Sequence, residues 1–376
     1  MRRSGKYVYE LPDWPKFQWD HERLAGALAK VRHDQGRLIG RMEALGFQLQ
    51  QEAALEALTE ETVKSSEIEG ERLDEEQVRS SIARRLGMDV AGVDVVDRRV
   101  EGVVEMMLDA TQKYDQPLTP DRLFGWHASL FPAGRNGMRK LRVATWRDDS
   151  TGPMHVVSGP VGRERVHFEG PPAKRLDREM TAFLRWFNDG TGPAVADEVL
   201  KAGLAHLWFI TIHPFDDGNG RIARAIADLA LARSEHTPQR FYSMSAQIRR
   251  ERNDYYEILE RTQKGTMDVT LWIDWFLGCL GRAIDGAQTT LAAVLRKARF
   301  WQELRDVPIN DRQHLMLNRM WDGFEGKLTT SKWAAIAKCS SDTALRDILD
   351  LVDRGVLVRN SGAGRSTSYS LAEVRD

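Results

Sequence analysis

Cysteine is nearly missing from this chain. Cys279 and Cys339 are the two in 376 residues, far apart and outside any CxxC spacing, so a disulfide scaffold and a thiolate zinc framework are both excluded. An excess of charge is missing too. The 54 Lys and Arg against 55 Asp and Glu leave a net −1, so any attraction to nucleic acid or an anionic membrane has to be local. Long apolar runs are also absent. The most apolar stretch, "VTLWIDWFLGCLGRAI", is broken by Asp274 and Arg282, well short of a membrane span. The opening "MRRSGKYVYELPDWPKF" is basic but has no apolar segment of the signal-peptide kind. The expectation is a cytoplasmic protein with no membrane partner. What remains, 42% apolar and 29% charged residues over 376 positions, is the balance of an ordinary globular protein of two or three domains.

Most of what is present reads as helix. The aromatic, proline-broken "YVYELPDWPKFQWD" reads as an extended arm packed on the body. From about Asp20, Leu24, Leu28, Val31, Leu38, Met42, Leu45 and Leu49 recur at helical steps. Further helices are expected at "EEQVRSSIARRL", "VVEMMLDATQKY", "PDRLFGWHASLF", "KRLDREMTAFLRWFND", "VADEVLKAGLAHLWFI", "NDYYEILERTQ" and from "DVTLWIDWF" onward. One region departs from this pattern. "MHVVSG" and "ERVHFEG", joined by "PVGR", read as an exposed β-hairpin. After a boundary at "VPIND", the tail reads helix, turn, helix, then two strands around "SGAG", a winged-helix pattern.

Between two apolar helices stands "HPFDDGNGR", residues 213–221. Pro214 disfavours helical geometry at His213, so one helix should stop there and a new one start near Gly220. The first turn of that new helix offers free N–H groups and the positive end of a dipole. Gly218 and Gly220 let a ligand approach the backbone, which makes an anion site. Arg221 and Arg224 share a helical face and can reach one phosphate chain. Asp217 is a hard oxygen ligand suited to Mg²⁺, and His213 has the imidazole chemistry of a general base. Separately these are a structural histidine, a loop and a solvated face; together they supply base, metal ligand, anion nest and charge clamp.

These residues resemble the Fic family, whose motif HxFx(D/E)GNGRxxR is matched by His213, Phe215, Asp217, Gly218, Asn219, Gly220, Arg221 and Arg224. The resemblance implies a mainly α fold: a Fic-type helical core with a β-hairpin flap, an N-terminal helical domain and a C-terminal winged helix. The expected domains are 1–90, 91–295 and 305–376. It implies an enzyme, a protein adenylyltransferase that moves AMP from ATP, with Mg²⁺, to a Ser, Thr or Tyr hydroxyl. By family role, His213 deprotonates the acceptor and Asp217 holds Mg²⁺. Asn219 and the neighbouring backbone cradle the phosphates, Arg221 braces the β-phosphate and Arg224 the γ-phosphate, and Phe215 is a buried anchor. The hairpin becomes a flap whose edge pairs with an extended segment of a target protein. Tyr255, Tyr256 and Gln263 resemble a nucleoside-contacting segment, with core aromatics as the other reading.

A second pattern lies upstream, in "SSEIEGERL". Ser65 and Glu69 share a helical face, and Gly70 suits a helix stop. Glu69 then sits in a last turn, where the dipole disfavours an anion, so a cationic partner is expected. The segment resembles the Fic inhibitory motif (S/T)xxxE(G/N) through Ser65, Glu69 and Gly70, which implies that Glu69 pairs with Arg224 in the space of the γ-phosphate. Rival functions stand beside this one: a winged-helix DNA-binding regulator with a Fic sensor core, or a Fic enzyme that uses another phosphate donor or removes AMP. From Arg354 to Ala372 there are three arginines and no acid, which favours phosphate contacts, whereas Asp342, Asp347, Asp350 and Asp353 stud the would-be recognition helix and argue against DNA. A homodimer is compatible with the sequence.

Overall fold

The computed structural model describes residues 7–88, 96–150, 152–159, 163, 165–189, 197–321, 324, 326–360 and 367–372. The chain divides into two compact units, residues 1–290 and 291–376. The aromatic arm is not the extended segment expected: after a 3-10 turn at Val8–Glu10 it turns again through residues 12–15, where Trp14 N–H donates to the Leu11 carbonyl at 3.1 Å, and it buries Tyr9 and Phe17. Gln18 bridges to Asp268 as a parallel β-pair.

Helix α1 (His21–Glu43) starts where Asp20 caps the N–H of Arg23 at 3.0 Å, and it buries Leu24, Val31, Leu38 and Met42. The helical periodicity that the sequence carries through Leu45 and Leu49 does not continue as one helix. The chain turns after Glu43 and α2 (Phe47–Ile68) starts after Gly46. Leu45 is in the turn and Leu49 in the next element, because a repeat of apolar residues does not record a change of direction. Helix α3 (Glu75–Arg85) packs back on α2, with Arg79 bound to Glu52 at 2.5 Å and to Glu56 at 2.9 Å.

Helices α4 (Arg98–Gln112) and α5 (Pro120–Leu130) follow as a packed pair. They approach so closely that a Cβ on Gly102 would lie 1.8 Å from the carbonyl oxygen of Ser129. Two short antiparallel hairpins come next. Strands β1 (Arg135–Asn136) and β2 (Arg139–Lys140) form a tight one that the sequence pattern does not announce. Strands β3 (His155–Ser158) and β4 (Arg165–Glu169) form the expected hairpin, with a register shift between Val156 and Val157. Residues 160–162 of its "PVGR" turn lie outside the described residues.

Helix α6 (Leu176–Asp189) leads to the centre of the unit. Helix α7 (Glu198–Ile212) is capped by Asp197 and buried on all sides, as a helix that is apolar all round must be. It packs along α8 (Asn219–Glu235), the most extensive helix pair in the fold. Helices α9 (Met244–Arg250), α10 (Arg252–Gln263) and α11 (Thr270–Glu303) complete the sequence of elements here. A buried polar network pins α2 to the start of α9: Glu61 accepts from Ser243 Oγ and Ser245 N, each at 2.8 Å.

The second unit holds α12 (Asp311–Trp321), α13 (Thr330–Ile336), α14 (Ser341–Asp353) and an antiparallel pair, β5 (Leu357–Arg359) with β6 (Tyr369–Leu371). This is the element order of a winged helix. Its core is Met316, Leu317, Trp333, Ile348, Leu351 and Leu357. The "SGAG" turn lies outside the described residues. Two of the aspartates on α14 are internal ties: Asp347 binds Arg312 at 2.8 Å, and Asp350 accepts from Gln313 at 2.8 Å. Among the described residues, no helix is long and apolar enough to cross a membrane.

Candidate functional site

The site forms where α7 stops and α8 starts. His213 caps α7 in the left-handed region, φ 51° and ψ 58°, an uncommon conformation for a side chain larger than glycine. Arg147 holds it there. Its buried guanidinium donates from Nε to the His213 carbonyl at 2.7 Å and from Nη2 to the Pro171 carbonyl at 2.6 Å, and its own N–H donates to the Pro214 carbonyl at 2.9 Å. One arginine thus ties the catalytic-type loop to the base of the β3–β4 hairpin. Nothing in the sequence pattern singles Arg147 out.

His213 Nδ1 lies 3.2 Å from the Ile210 carbonyl. That contact places the proton on Nδ1 and leaves the Nε2 lone pair free to accept one. Burial, with Arg147 close by, lowers the imidazole to about 4. It is therefore neutral at physiological pH and ready to act as a base, and an arriving triphosphate raises its proton affinity from there.

Gly218 supplies the αL residue (φ 80°) from which α8 starts. Phe215 is fully buried, stacked on His127 at 4.2 Å between ring centroids. Asn219 departs from its expected role. Its side-chain amide is turned inward, accepting from Phe215 N at 3.0 Å and donating to Phe215 O at 2.8 Å. The side chain braces the loop, and what it leaves for a phosphate is backbone N–H. Asp217 faces the cleft with one oxygen on Gly218 N at 2.6 Å and the other on Asn136 Nδ2 at 2.8 Å, which gives the β1–β2 hairpin a function as a support for this carboxylate. Among the described residues no three His, Cys, Asp or Glu side chains group as an ion cage. A cation at Asp217 would share its coordination with phosphate oxygens, a set that suits Mg²⁺.

Arg221 and Arg224 are almost fully buried. Arg224 donates from Nε to Ser65 Oγ at 2.9 Å, and from Nη2 to Ser65 O at 2.8 Å and Glu69 Oε1 at 2.8 Å. The three-residue inhibitory pattern is therefore assembled on one guanidinium: Ser65 from the side of α2, Glu69 at its C-cap, and Gly70 (φ 85°) turning the chain away. Glu69 reaches so far into the mouth of α8 that a Cβ on Gly220 would lie 2.0 Å from Glu69 Oε1. The carboxylate thus lies at the N-terminus of α8, where the helix dipole favours an anion. A second pairing was not visible from the sequence: Arg221 Nη1 binds Glu71 Oε2 at 2.7 Å, while its guanidinium lies over the Phe131 ring. Two donors remain buried without an acceptor, Arg221 Nε and Arg224 Nη1. Unpaired buried donors of this kind are expensive, and phosphate oxygens would satisfy them.

Helix α10 walls the other side. Tyr255 is buried, with its hydroxyl 3.0 Å from His206 Nε2. Arg252 Nε donates to the Ile68 carbonyl at 2.9 Å and Tyr256 OH reaches it at 3.5 Å, so both hold the free carbonyl end of α2. Gln263 is buried and donates to Thr211 Oγ1 at 3.3 Å. All three expected nucleoside contacts line one cleft of about 800 Å³, together with Glu69, His213, Asp217, Gly218, Asn219 and Gly220. Tyr255 has a core role as well, and Tyr256 a role in holding α2.

Burial also depresses His127 to about 4 and His206 to about 3. Together with His213, three imidazoles stay neutral in the fold that would protonate near pH 6.5 when unfolded. The unfolded chain binds more protons below that pH, so stability falls as pH drops from about 6.5 toward 4, by about 1.4 kcal/mol per pH unit for each imidazole. We expect the thermal midpoint to decline across this window, and replacing His206 with Asn to flatten part of the slope.

Comparison with known proteins adds context to this geometry. Residues 7–88 match a family described as a domain of unknown function (DUF4172). Residues 117–231 match the Fic/DOC family. The chain is 35% identical over 126 residues to a protein adenylyltransferase Fic of Nematostella vectensis, covering 32% of this chain and 27% of that protein. It is 31% identical over 127 residues to a uridine 5'-monophosphate transferase of Xanthomonas campestris pv. campestris (strain 8004), covering 31% and 21%. The chain thus spans about a quarter of the length of these curated relatives. Among solved structures, a Fic family protein from Desulfovibrio desulfuricans G20 superposes with a TM-score of 0.51 at 20% identity, covering 93% of this chain and 97% of that one, a likeness of fold.

Proposed function

We propose, from the match of residues 117–231 to the Fic/DOC family, that the chain is a nucleotidyltransferase that moves AMP from ATP onto a protein hydroxyl and is held inactive by its own Glu69. The observation that carries this reading is the convergence on Arg224: Ser65 and Glu69 fill the mouth of α8, while His213 and Asp217 face the same cleft. With Glu69 withdrawn, the α8 N-terminus, Arg221 and Arg224 hold the phosphate chain, and their two orphaned donors gain acceptors. His213 Nε2 takes the proton of the acceptor hydroxyl as its oxygen attacks the α-phosphorus in line, the bond from that phosphorus to the α–β bridging oxygen breaks, and pyrophosphate leaves. Mg²⁺ held by Asp217, when bound, neutralises phosphate charge. Positioning and charge neutralisation dominate chemistry of this type.

The outer edge of β3 offers main-chain groups to an extended segment of the target, the mode of β-strand addition. The donor is the choice that the relatives leave open, since one of them is named for UMP transfer. Incubating the Glu69→Gly chain with Mg²⁺ and either ATP or UTP, followed by intact-mass measurement, decides it. A gain of one AMP from ATP supports the proposal; a gain of UMP alone replaces the donor; no gain with either, alone or with a lysate of acceptor proteins, rejects it.

Glu71 is a lesser clamp in this scheme. Its side chain is about one-third exposed, and exposed pairs contribute up to about 1 kcal/mol. We expect Glu71→Gln to improve ATP affinity up to about fivefold by titration calorimetry, far below the effect at Glu69.

A further inference from the structure

The wall of the cleft facing α8 carries a second hydroxyl–imidazole pair, which the proposed transfer does not use. Ser158 Oγ, at the end of β3, lies 2.6 Å from His167 Nε2. His167 Nδ1 lies 2.6 Å from Glu260 Oε2 on α10. Glu260 also takes Lys264 Nζ at 2.6 Å. Burial works against its ionisation, yet the hydrogen bonds from Lys264 and His167 hold its carboxyl near 2, so it is a permanent anion. An anion on Nδ1 fixes the proton there and turns the Nε2 lone pair toward Ser158. Nucleophile, base and orienting carboxylate thus stand in hydrogen-bond reach in series, the arrangement that activates a hydroxyl.

The backbone is bent to make this possible. Val156 pairs with Phe168 but Val157 pairs with Val166, so His167 is the extra residue of a β-bulge. Successive side chains of a regular strand point to opposite faces. Here both His167 and Phe168 line the cleft, because the bulge re-aims one of them.

The electrophile such a pair could meet follows from the rest of the cleft. Acyl transfer requires donors placed for a carbonyl oxyanion next to the nucleophile. The lining of this cleft takes in Gly218, Asn219 and Gly220 at the N-terminus of α8, a place that suits phosphate. We infer that Ser158 is an acceptor hydroxyl of the chain itself and becomes nucleotidylated. Ser158 Oγ forms a bond to the α-phosphorus of the bound triphosphate, the bond from that phosphorus to the α–β bridging oxygen breaks, and pyrophosphate leaves. The hydroxyl proton passes to His167 Nε2. This rests on the nucleotidyltransferase reading above and adds the modified residue. Ser158 is exposed, so it can be exchanged without disturbing a core.

The test is site mapping by tandem mass spectrometry of the Glu69→Gly chain after incubation with ATP and Mg²⁺. AMP on Ser158 is expected, lost in Ser158→Ala and kept in Ser158→Thr. His167→Gln should slow the initial rate of that modification about a hundredfold, the scale of a missing general base. AMP found on other residues with Ser158 bare overturns this inference and leaves the transferase reading intact. If no AMP appears on this chain while an added protein acceptor is labelled, Ser158 is again excluded. Absence of label on both defeats the transferase reading itself.

Discussion

Replacing Glu69 with Gly raises self-labelling by ATP at least a hundredfold and tightens ATP binding by a similar factor. Hundredfold corresponds to about 2.7 kcal/mol, more than an exposed ion pair supplies. The geometry accounts for the difference. Arg224 is almost fully buried and donates three hydrogen bonds to Ser65 and Glu69. Glu69 itself is about one-third exposed, so the ion pair alone supplies no more than the one at Glu71, and the larger part has to come from the space that the carboxylate fills. Burial alone would lower the Arg224 pKa, and the neighbouring carboxylate raises it instead. Steric exclusion adds to this, because Glu69 Oε1 lies where a side chain on Gly220 would begin. A phosphate and this carboxylate cannot share that volume. Glycine at 69 removes both obstacles and leaves Ser65 in place on Arg224. Titration calorimetry with ATP, and labelling with radioactive ATP, read the two effects separately. Unchanged affinity and unchanged labelling would mean that the carboxylate is a structural tie and no brake.

The contact that the proposed function makes inhibitory is held firmly, because α2 is pinned. Glu61 is buried against Ser243 and Ser245, and Arg252 and Tyr256 hold the last carbonyl of the helix. Release therefore has to act at the C-terminal turn of α2, where Gly70 allows the backbone to swing, or on α10, which holds it from the other side. Both routes pass through residues that also line the cleft, so in the proposed function seating a nucleotide and withdrawing Glu69 are coupled events.

How far this could be read from sequence depends on how local each feature is. The helix stop at His213 follows from Pro214, and the new helix from the glycines at 218 and 220. Ser65 and Glu69 share a face by spacing alone. Each of these is written within a few consecutive residues. Arg147, Asn136 and Glu71 are a different case. Their partners, His213, Asp217 and Arg221, lie 66, 81 and 150 positions away, and they sit on loops or short strands that lack a periodic pattern. Asn219 shows the converse limit. Its place in the motif was evident, but whether its amide faces ligand or loop depends on Phe215 folding beneath it. The break between α1 and α2 was hidden for a related reason: an apolar repeat continued across a turn.

His213→Ala in the Glu69→Gly background removes transfer to an added protein acceptor while ATP continues to bind. In the proposed function the phosphate contacts come from the first turn of α8 and from Arg221 and Arg224, and none of them passes through the imidazole. The base is a separate element, placed by the end of α7 and by Arg147. Losing it costs the chemical step about 10²–10⁴-fold, with ATP affinity unchanged within about twofold. The left-handed backbone at this position needs a control, since alanine is less at ease there than asparagine. His213→Asn keeps the conformation and removes the base, so both variants should fail alike. Single-turnover labelling of the added acceptor measures the step directly, and calorimetry measures binding. Should either variant keep more than about a tenth of the transfer rate, the proton goes elsewhere and the role given to His213 is wrong. If both lose ATP binding together with transfer, the imidazole is part of the nucleotide seat, and the separation between the α7 end as base and the α8 mouth as phosphate holder does not exist.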